Sequence, residues 1–343
     1  MVYCFQLLPH ANIRYQASLL MLGQAELLCL LQAMGRNAQI SAERIGGSDF
    51  LTFDTEAPLD EKELRLISAH SALLLLCERE GGLLRPLDKQ PPMYLPKDAA
   101  ELLKYKGKTS AVFTHMLLNC ACAASGFFLS DAPLTVLDPM CGKGTTCFCA
   151  LERGWNAAGM DVDAPALQEA DRFFGRYLQF HKLKHKRTAQ SLTVKGRGVP
   201  EVRYTLADTR AHYAAGDTRT LSLMTCDTAS SASLMRKQPV ELIVCDLPYG
   251  VQHAPDGSGR PVSFELLLKR ALPAWLEALR CGGAMALSFN TLTLSRERLL
   301  ALLVEAGFTP MTDGPYASMS HFVEQAVLRD IVVARKDRPM SSR

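Results

Sequence analysis

The feature that most constrains the fold is a series of six short apolar runs: Leu134 to Asp138, Asn156 to Asp161, Leu221 to Asp227, Glu241 to Asp246, Ala284 to Asn290 and Val327 to Ala334. Four of the six end on aspartate, and helix-length stretches such as Pro165 to Phe180, Phe264 to Arg280 and Ser295 to Ala306 lie between them. Strands that read as near-continuous apolar runs are buried on both faces, and their alternation with helices implies βαβ units and a mostly parallel sheet. Ligands of such open α/β sheets bind beyond the carboxyl ends of the strands. The recurring acids therefore mark where a functional site belongs.

Ahead of this pattern the chain is mixed. Gln16 to Met34 carries a broad leucine stripe at helical spacing, Ala38 to Phe53 reads as a strand pair turning at Gly46-Gly47, and Asp60 to Arg79 reads as a second helix. Gln90-Pro91-Pro92 interrupts the periodicity. A chain of 343 residues has room for about two ordinary domains. A small N-terminal α+β domain over residues 1–92 and an α/β domain over 93–343 are expected. Hydrophobic residues at 48% and charged residues at 21% exclude a disordered chain.

Thr109 to Ser130 is long enough for a membrane span, but Thr109, Ser110, Thr114, His115, Asn119 and Ser125 interrupt it, so a buried helix is expected. The start, Met1 to Gln6, lacks the basic and long apolar regions of a secretory signal. No membrane association and a cytoplasmic location are expected. The eleven cysteines are odd in number and sit mostly in apolar runs. Cys147-Phe-Cys149 and Cys120-Ala-Cys122 lack the second ligand pair of a zinc site, so no metal is expected.

The chemistry starts at Val136 to Thr146, an apolar strand, a glycine turn holding Gly142 and Gly144, and a helix start. Glycines let backbone approach a ligand and the helix N-terminus offers free N–H groups, which suits a nucleotide-like ligand. The run is not a P-loop, because Gly144 rather than Ser or Thr follows Lys143, and a dinucleotide fingerprint lacks its third glycine at Cys147. A purely structural turn is the alternative. Asp161, about 20 residues on, has the spacing of a ribose-binding acid, and Asp163 suits a helix cap. Asp227 is placed to accept from an adenine amine or to serve as a solvated turn acid.

Asp246-Leu-Pro-Tyr249 is the most specific feature. A carboxylate acceptor, a proline-fixed backbone that presents the Leu247 carbonyl, and an aromatic ring together form a clamp for a planar base with an exocyclic amine. An ordinary Asp-x-Pro turn with a packed tyrosine is the alternative.

Through Asp138-Pro-Met-Cys-Gly-Lys-Gly-Thr145, Gly159-Met-Asp161, Asp227 and Asp246-Leu-Pro-Tyr-Gly250, the chain resembles the class I S-adenosylmethionine-dependent RNA methyltransferases, especially the tRNA guanine-N2 methyltransferases with their associated RNA-binding module. The resemblance spans about Tyr94 to Lys336. It implies a Rossmann-like, seven-stranded α/β sheet with S-adenosyl-L-methionine held by Asp138, Met140, Cys141, Gly142, Gly144, Thr145, Asp161, Val162, Asp227 and Thr228. It makes Asp246, Leu247, Pro248 and Tyr249 the catalytic tetrapeptide, although Leu247 stands where relatives have proline. Val112 to Ala124, with Phe113, Thr114 and Asn119, resembles the helix that closes over the cofactor. The implied reaction is methyl transfer to an exocyclic amine in RNA, first of all guanine N2 of tRNA, and some relatives work with a small activator subunit. The N-terminal region is shorter than the RNA-binding module of many relatives. Rival readings are adenine N6 in DNA or RNA, and a non-catalytic RNA-binding protein that keeps only the fold.

Arg172 to Arg219 holds eleven Lys/Arg and three acids, a charge of +8 inside a chain whose total is only +3. This insertion, at about 181–219, supplies Lys182, Lys184, Lys186, Arg187 and Arg197 as candidate RNA contacts. A solvated, mobile charge run is the alternative.

Overall fold

The computed structural model describes the chain apart from residues 10–12, 89–92, 97, 106, 250–252, 256–260, 325–326 and 338–343. Its first part comprises β1 (Val2–Leu7), α1 (Ile13–Ala33), β2 (Ile40–Ile45), β3 (Ser48–Asp54), α2 (Glu61–Ser68), β4 (Leu73–Glu80) and β5 (Leu83–Pro86). The strands form an antiparallel sheet in the order β2-β3-β1-β4-β5. Period-two alternation sends Tyr3 and Phe5 to the main core, where the α1 leucines pack, and Cys4 to a small cluster with Phe50 and Cys77.

One reading of this part is corrected. The expected helix Asp60 to Arg79 is only α2, capped by an Asp60/Glu63 capping box, and its second half is strand β4. Four consecutive leucines, Leu73 to Leu76, carry neither period, and pairing with β1 decides for a strand. Strand β1 lies at the centre of the sheet. The Gln90-Pro91-Pro92 break lies outside the described residues.

The second part opens with α3 (Ala99–Leu102), α4 (Ala111–Ala124), β6 (Thr135–Asp138), α5 (Thr145–Glu152), β7 (Asn156–Asp161) and α6 (Ala164–Phe180). It continues with β8 (His185–Val194), β9 (Arg197–Leu206), α7 (Arg210–Ala215), β10 (Arg219–Thr225), α8 (Ser231–Met235) and β11 (Val240–Asp246). It ends with β12 (His253–Pro255), β13 (Pro261–Ser263), α9 (Phe264–Ala278), β14 (Leu279–Asn290), α10 (Arg296–Glu305), β15 (Thr309–Pro310), β16 (His321–Glu324) and β17 (Val327–Arg335).

The large sheet runs β15-β17-β14-β11-β6-β7-β10-β9-β8, with β16 also on β17. Strands β10, β7, β6, β11 and β14 are parallel neighbours, and β17 is antiparallel. Without β8, β9 and β16, the remaining seven strands have the doubly wound α/β order third, second, first, fourth, fifth, seventh, sixth. Neighbouring side chains alternate between two cores: Leu242, Val244, Ala284 and Ala286 on the side of α4 and α5, and Ile243, Cys245, Met285 and Leu287 on the side of α9 and α10. The strand order reverses between β6 and β11, which is where such sheets open a crevice.

The basic insertion is ordered. Strands β8 and β9 form a hairpin through Lys195 and Gly196, both at positive φ (49° and 76°), and extend the sheet beyond β10.

The two parts share one continuous hydrophobic core through α1 and α4. Buried Glu26 of α1 accepts from the Ser71 backbone and hydroxyl and from the Asn119 amide of α4. Asn119 also donates to Ala69 O at 2.9 Å. Asn119 thus faces the N-terminal sheet rather than the cofactor side, a correction to its expected place. Among the described residues no helix is long and apolar enough to cross a membrane.

Candidate functional site

Strand β6 delivers Asp138 to the crevice, and the chain then turns through Gly142 (φ 51°) and Gly144 (φ 84°), the latter capping α5. The turn is tied to the end of β7: Gly142 N donates to Asp161 Oδ2 at 2.7 Å, Asp163 N to Asp161 Oδ1 at 2.9 Å, and Cys141 N to Met160 O at 2.9 Å. Gly159 makes this closeness feasible, because a Cβ there would sit 2.7 Å from Cys141 Sγ and 2.9 Å from Cys147 Sγ. Asp163 accepts from Ala166 N and caps α6.

A cleft of about 320 Å³ follows the carboxyl edge of the sheet. Met140 and Gly142 line it after β6, Asp161 and Val162 after β7, Asp227 and Thr228 after β10, and Asp246 and Pro248 after β11. The other expected cofactor residues support it from behind. Asp138 is buried, accepts from Met140 N at 3.2 Å, and its carboxyl is pushed up to about 7, chiefly by desolvation. Cys141 packs against Gly159, Gly144 against the Phe148 ring, and Thr145 Oγ1 meets Tyr105 Oη at 2.9 Å. Pro139, Cys226 and Leu267 complete the wall, and of these Leu267, on α9, has no local sequence signal.

The cleft fits S-adenosyl-L-methionine. A Cβ at Gly142 would meet nothing within 4 Å, so backbone there borders open space. Asp161 already accepts two backbone N–H bonds, yet a carboxylate has about four acceptor sites, enough to take ribose hydroxyls as well. Its carboxyl is raised by burial. Val162, Cys226 and Leu267 give an apolar wall for a base. Asp227 Oδ1 accepts from Ala229 N at 2.8 Å, so it caps the short 3-10 turn Thr228–Ser230, and Oδ2 pairs with Arg270 at 3.0 Å. The acid lies beyond the end of β10, and only its remaining acceptor capacity faces a ligand.

Beside the cleft, β11 ends at Asp246, in register with Ser288 of β14. Both Asp246 oxygens are engaged, Oδ1 by the Tyr249 hydroxyl and Oδ2 by the Thr109 hydroxyl. Tyr249 Oη also meets Ser288 Oγ at 2.8 Å, and burial beside Asp246 pushes its phenol up. Leu247 N donates to Ser288 O at 2.8 Å while its side chain fills the core, and Pro248 is exposed. The Tyr249 ring, expected as a free stacking platform, carries the Arg329 guanidinium 5.1 Å from its centroid. Thr109 and Arg329 escaped the sequence reading because only tertiary folding brings the first to Asp246 and the second to the Tyr249 ring.

The candidate RNA contacts separate. Lys182, Lys184, Lys186 and Arg187 follow α6, which returns to the edge where the parallel strands begin; His185 pairs with Leu206, and Leu206 with Arg219 at the start of β10. Arg187 is held by Asp171 through two bonds of 2.9 and 2.7 Å. Arg197, beside the hairpin turn, lies toward the opposite edge, where Glu201 pairs with Met224. Among the described residues one trio has metal-ligand proximity, buried His115, Cys149 and Glu152. Both ring nitrogens of His115 are engaged, Nε2 with Glu152 at 2.9 Å and Nδ1 with Arg153 at 3.3 Å.

The fold and the cleft at its strand switch define a doubly wound α/β domain of the methyltransferase type. Residues 129–284 match the family model described as RMKL-like, methyltransferase domain. No curated protein matches the chain. Among solved structures it is similar to TrmN from Thermus thermophilus, with 19% identity over 87% of this chain and 60% of that one, at a TM-score of 0.38. It is similar also to the rRNA methyltransferase aviRa from Streptomyces viridochromogenes, with 15% identity over 71% of this chain and 93% of the other and a TM-score of 0.40. A SAM-dependent methyltransferase from Agrobacterium tumefaciens aligns at 12% identity over 83% and 74% of the two chains, with a TM-score of 0.42. The chain thus spans 60% of the length of the TrmN structure.

Proposed function

We propose that this protein transfers a methyl group to the exocyclic amine of a base in RNA, with guanine N2 of tRNA as its first target. The observation that carries the reading is Asp246, a carboxylate at the rim of the cofactor cleft whose two oxygens are both held by side-chain hydroxyl donors. An exocyclic amine offers two N–H donors to the same acceptors.

Met140, Gly142, Asp161, Val162, Asp227 and Thr228 would hold S-adenosyl-L-methionine, which when bound supplies an electrophilic methyl group on a sulfonium. Asp246 exchanges its hydroxyl partners for the amine hydrogens, orients the nitrogen lone pair and stabilises the positive charge that develops on nitrogen. Thr109 and Tyr249 hold the carboxylate in position until then, and the Tyr249 ring borders the base. Asp246 is also placed to receive the proton released afterwards.

The test is incubation with labelled S-adenosyl-L-methionine and separate pools of tRNA, rRNA and DNA, followed by nucleoside mass spectrometry. Label in N2-methylguanosine of tRNA is expected. Label confined to DNA, or to N6-methyladenine, would replace the target, and absence of cofactor binding by titration would leave a non-catalytic RNA-binding role.

A further inference from the structure

Arg329 is the residue in the fold whose chemistry is least accounted for. It leaves β17 opposite Asn290 of β14 and His321 of β16, beside the strand pair that carries Asp246 and Ser288. The residue is only 6% exposed, and the rings of Phe113 and Tyr249 stand 4.4 and 5.1 Å from its guanidinium carbon. Those contacts cover the faces of a guanidinium, whereas its hydrogen bonds must come from groups in its plane. Its buried Nε has no hydrogen-bond partner. The adjacent acid, Asp330, is committed to Arg296 at 2.8 Å.

A guanidinium does not escape burial by losing its proton, so a buried one without an acceptor is costly unless a ligand supplies one. Its location says which ligand. Residues of the cofactor cleft come from β6, β7, β10 and β11, whereas Arg329 lies on the far side of β11, across β14. Its depth suits a base edge rather than a phosphate, since the backbone of a nucleic acid stays at the mouth when one nucleotide is drawn out. The same Tyr249 side chain touches both groups, its hydroxyl on Asp246 and its ring on Arg329.

We infer that Arg329 sets base specificity by donating to the carbonyl oxygen at position 6 of guanine while Asp246 holds the N2 amine. This rests on the reading given under Proposed function. Guanine presents an amine, a ring N–H and a carbonyl in sequence along one edge, matching a carboxylate followed by a guanidinium. Adenine has no carbonyl. Cytosine has one, but the ring nitrogen between it and the amine is an acceptor and would face the Asp246 carboxylate.

The experiment compares the tRNA labelled in the functional assay with the same tRNA carrying 6-thioguanine at the methylated position, since sulfur is a weak acceptor and the amine and ring N–H are retained. An arginine pair to a guanine edge discriminates by roughly 10- to 100-fold, so wild-type kcat/KM is expected to fall by that factor on thioguanine. Arg329→Met is expected to lose a similar factor on guanine, to stay within about 3-fold of wild type on thioguanine, and so to abolish the preference. Arg329→Gln gives the same readout if the Met variant is insoluble. Equal losses on both substrates would make Arg329 merely structural and overturn the inference. If the wild type methylates no guanine in RNA, the functional reading fails first and the inference with it, an outcome visible before any variant is made.

Discussion

The two edges of the large sheet differ in what they gather. At the edge where the parallel strands end, acids from four separate strands or their following turns converge: Asp138, Asp161, Asp227 and Asp246. At the edge where they begin lie Lys182, Lys184, Lys186 and Arg187, contributed by one short stretch of sequence. The first group is dispersed in sequence and brought together by the sheet, whereas the second is concentrated in sequence and sits where the hairpin starts. The run of like charge thus gathers away from the cleft, whereas the residue type recurring at strand ends lies along it.

The largest expected effect lies at the acidic edge. Asp246→Ala removes the carboxylate proposed to hold the amine, and loss of a preorganised acceptor at a developing charge lowers turnover by about 100- to 1,000-fold. Cofactor affinity, measured by calorimetric titration, should stay within a small factor because Gly142, Asp161 and Val162 are untouched. Turnover near wild type would break the assignment of that edge.

A smaller effect separates two acids on the same edge. Burial raises the Asp138 carboxyl to about 7, above its unfolded value, so the folded state binds more protons than the unfolded chain between about pH 4 and 7. Stability should therefore fall as pH rises through that window and level off above it. Asp138→Asn keeps an acceptor for Met140 N, removes the titration, and should gain on wild type by about 1 to 3 kcal/mol between pH 5 and pH 8, less than the full shift implies because the site relaxes. Urea midpoints at the two pH values measure it, and a pH-independent difference would refute the raised carboxyl.

How much of this was legible follows from the same contrast. The parallel strands were readable because burial on both faces leaves apolar runs, and their terminal acids located Asp161 and Asp246 before any coordinates. Strand β4 was not, because Leu73 to Leu76 is apolar at both periods and only β1 settles its state. Thr109 and Arg329 were not, because they reach Asp246 and the Tyr249 ring from α4's approach and from an antiparallel strand, with no spacing to announce them. Tyr249 lies beside Asp246 as the tetrapeptide suggested, but its hydroxyl hydrogen bond to Asp246 and the cation on its ring are tertiary facts.

The smallest expected effect tests the basic edge. Lys182→Gln, Lys184→Gln and Lys186→Gln together remove three exposed cations and leave the Arg187 to Asp171 pair intact. Phosphate contacts are sequence-independent and reveal themselves as the slope of log affinity against log salt, by roughly 0.9 per phosphate on a duplex. If RNA is seated on Asp246 as proposed, it engages the opposite edge, so the triple variant should keep its turnover, and the slope should change by less than about one. Arg197→Gln, near the turn on the cleft side of the hairpin, should shift the slope by a comparable or larger amount although it removes a single charge. A slope lowered by two or three in the triple variant would mean that the polyanion reaches round the sheet to the edge where the strands begin, and the two edges would then serve one substrate.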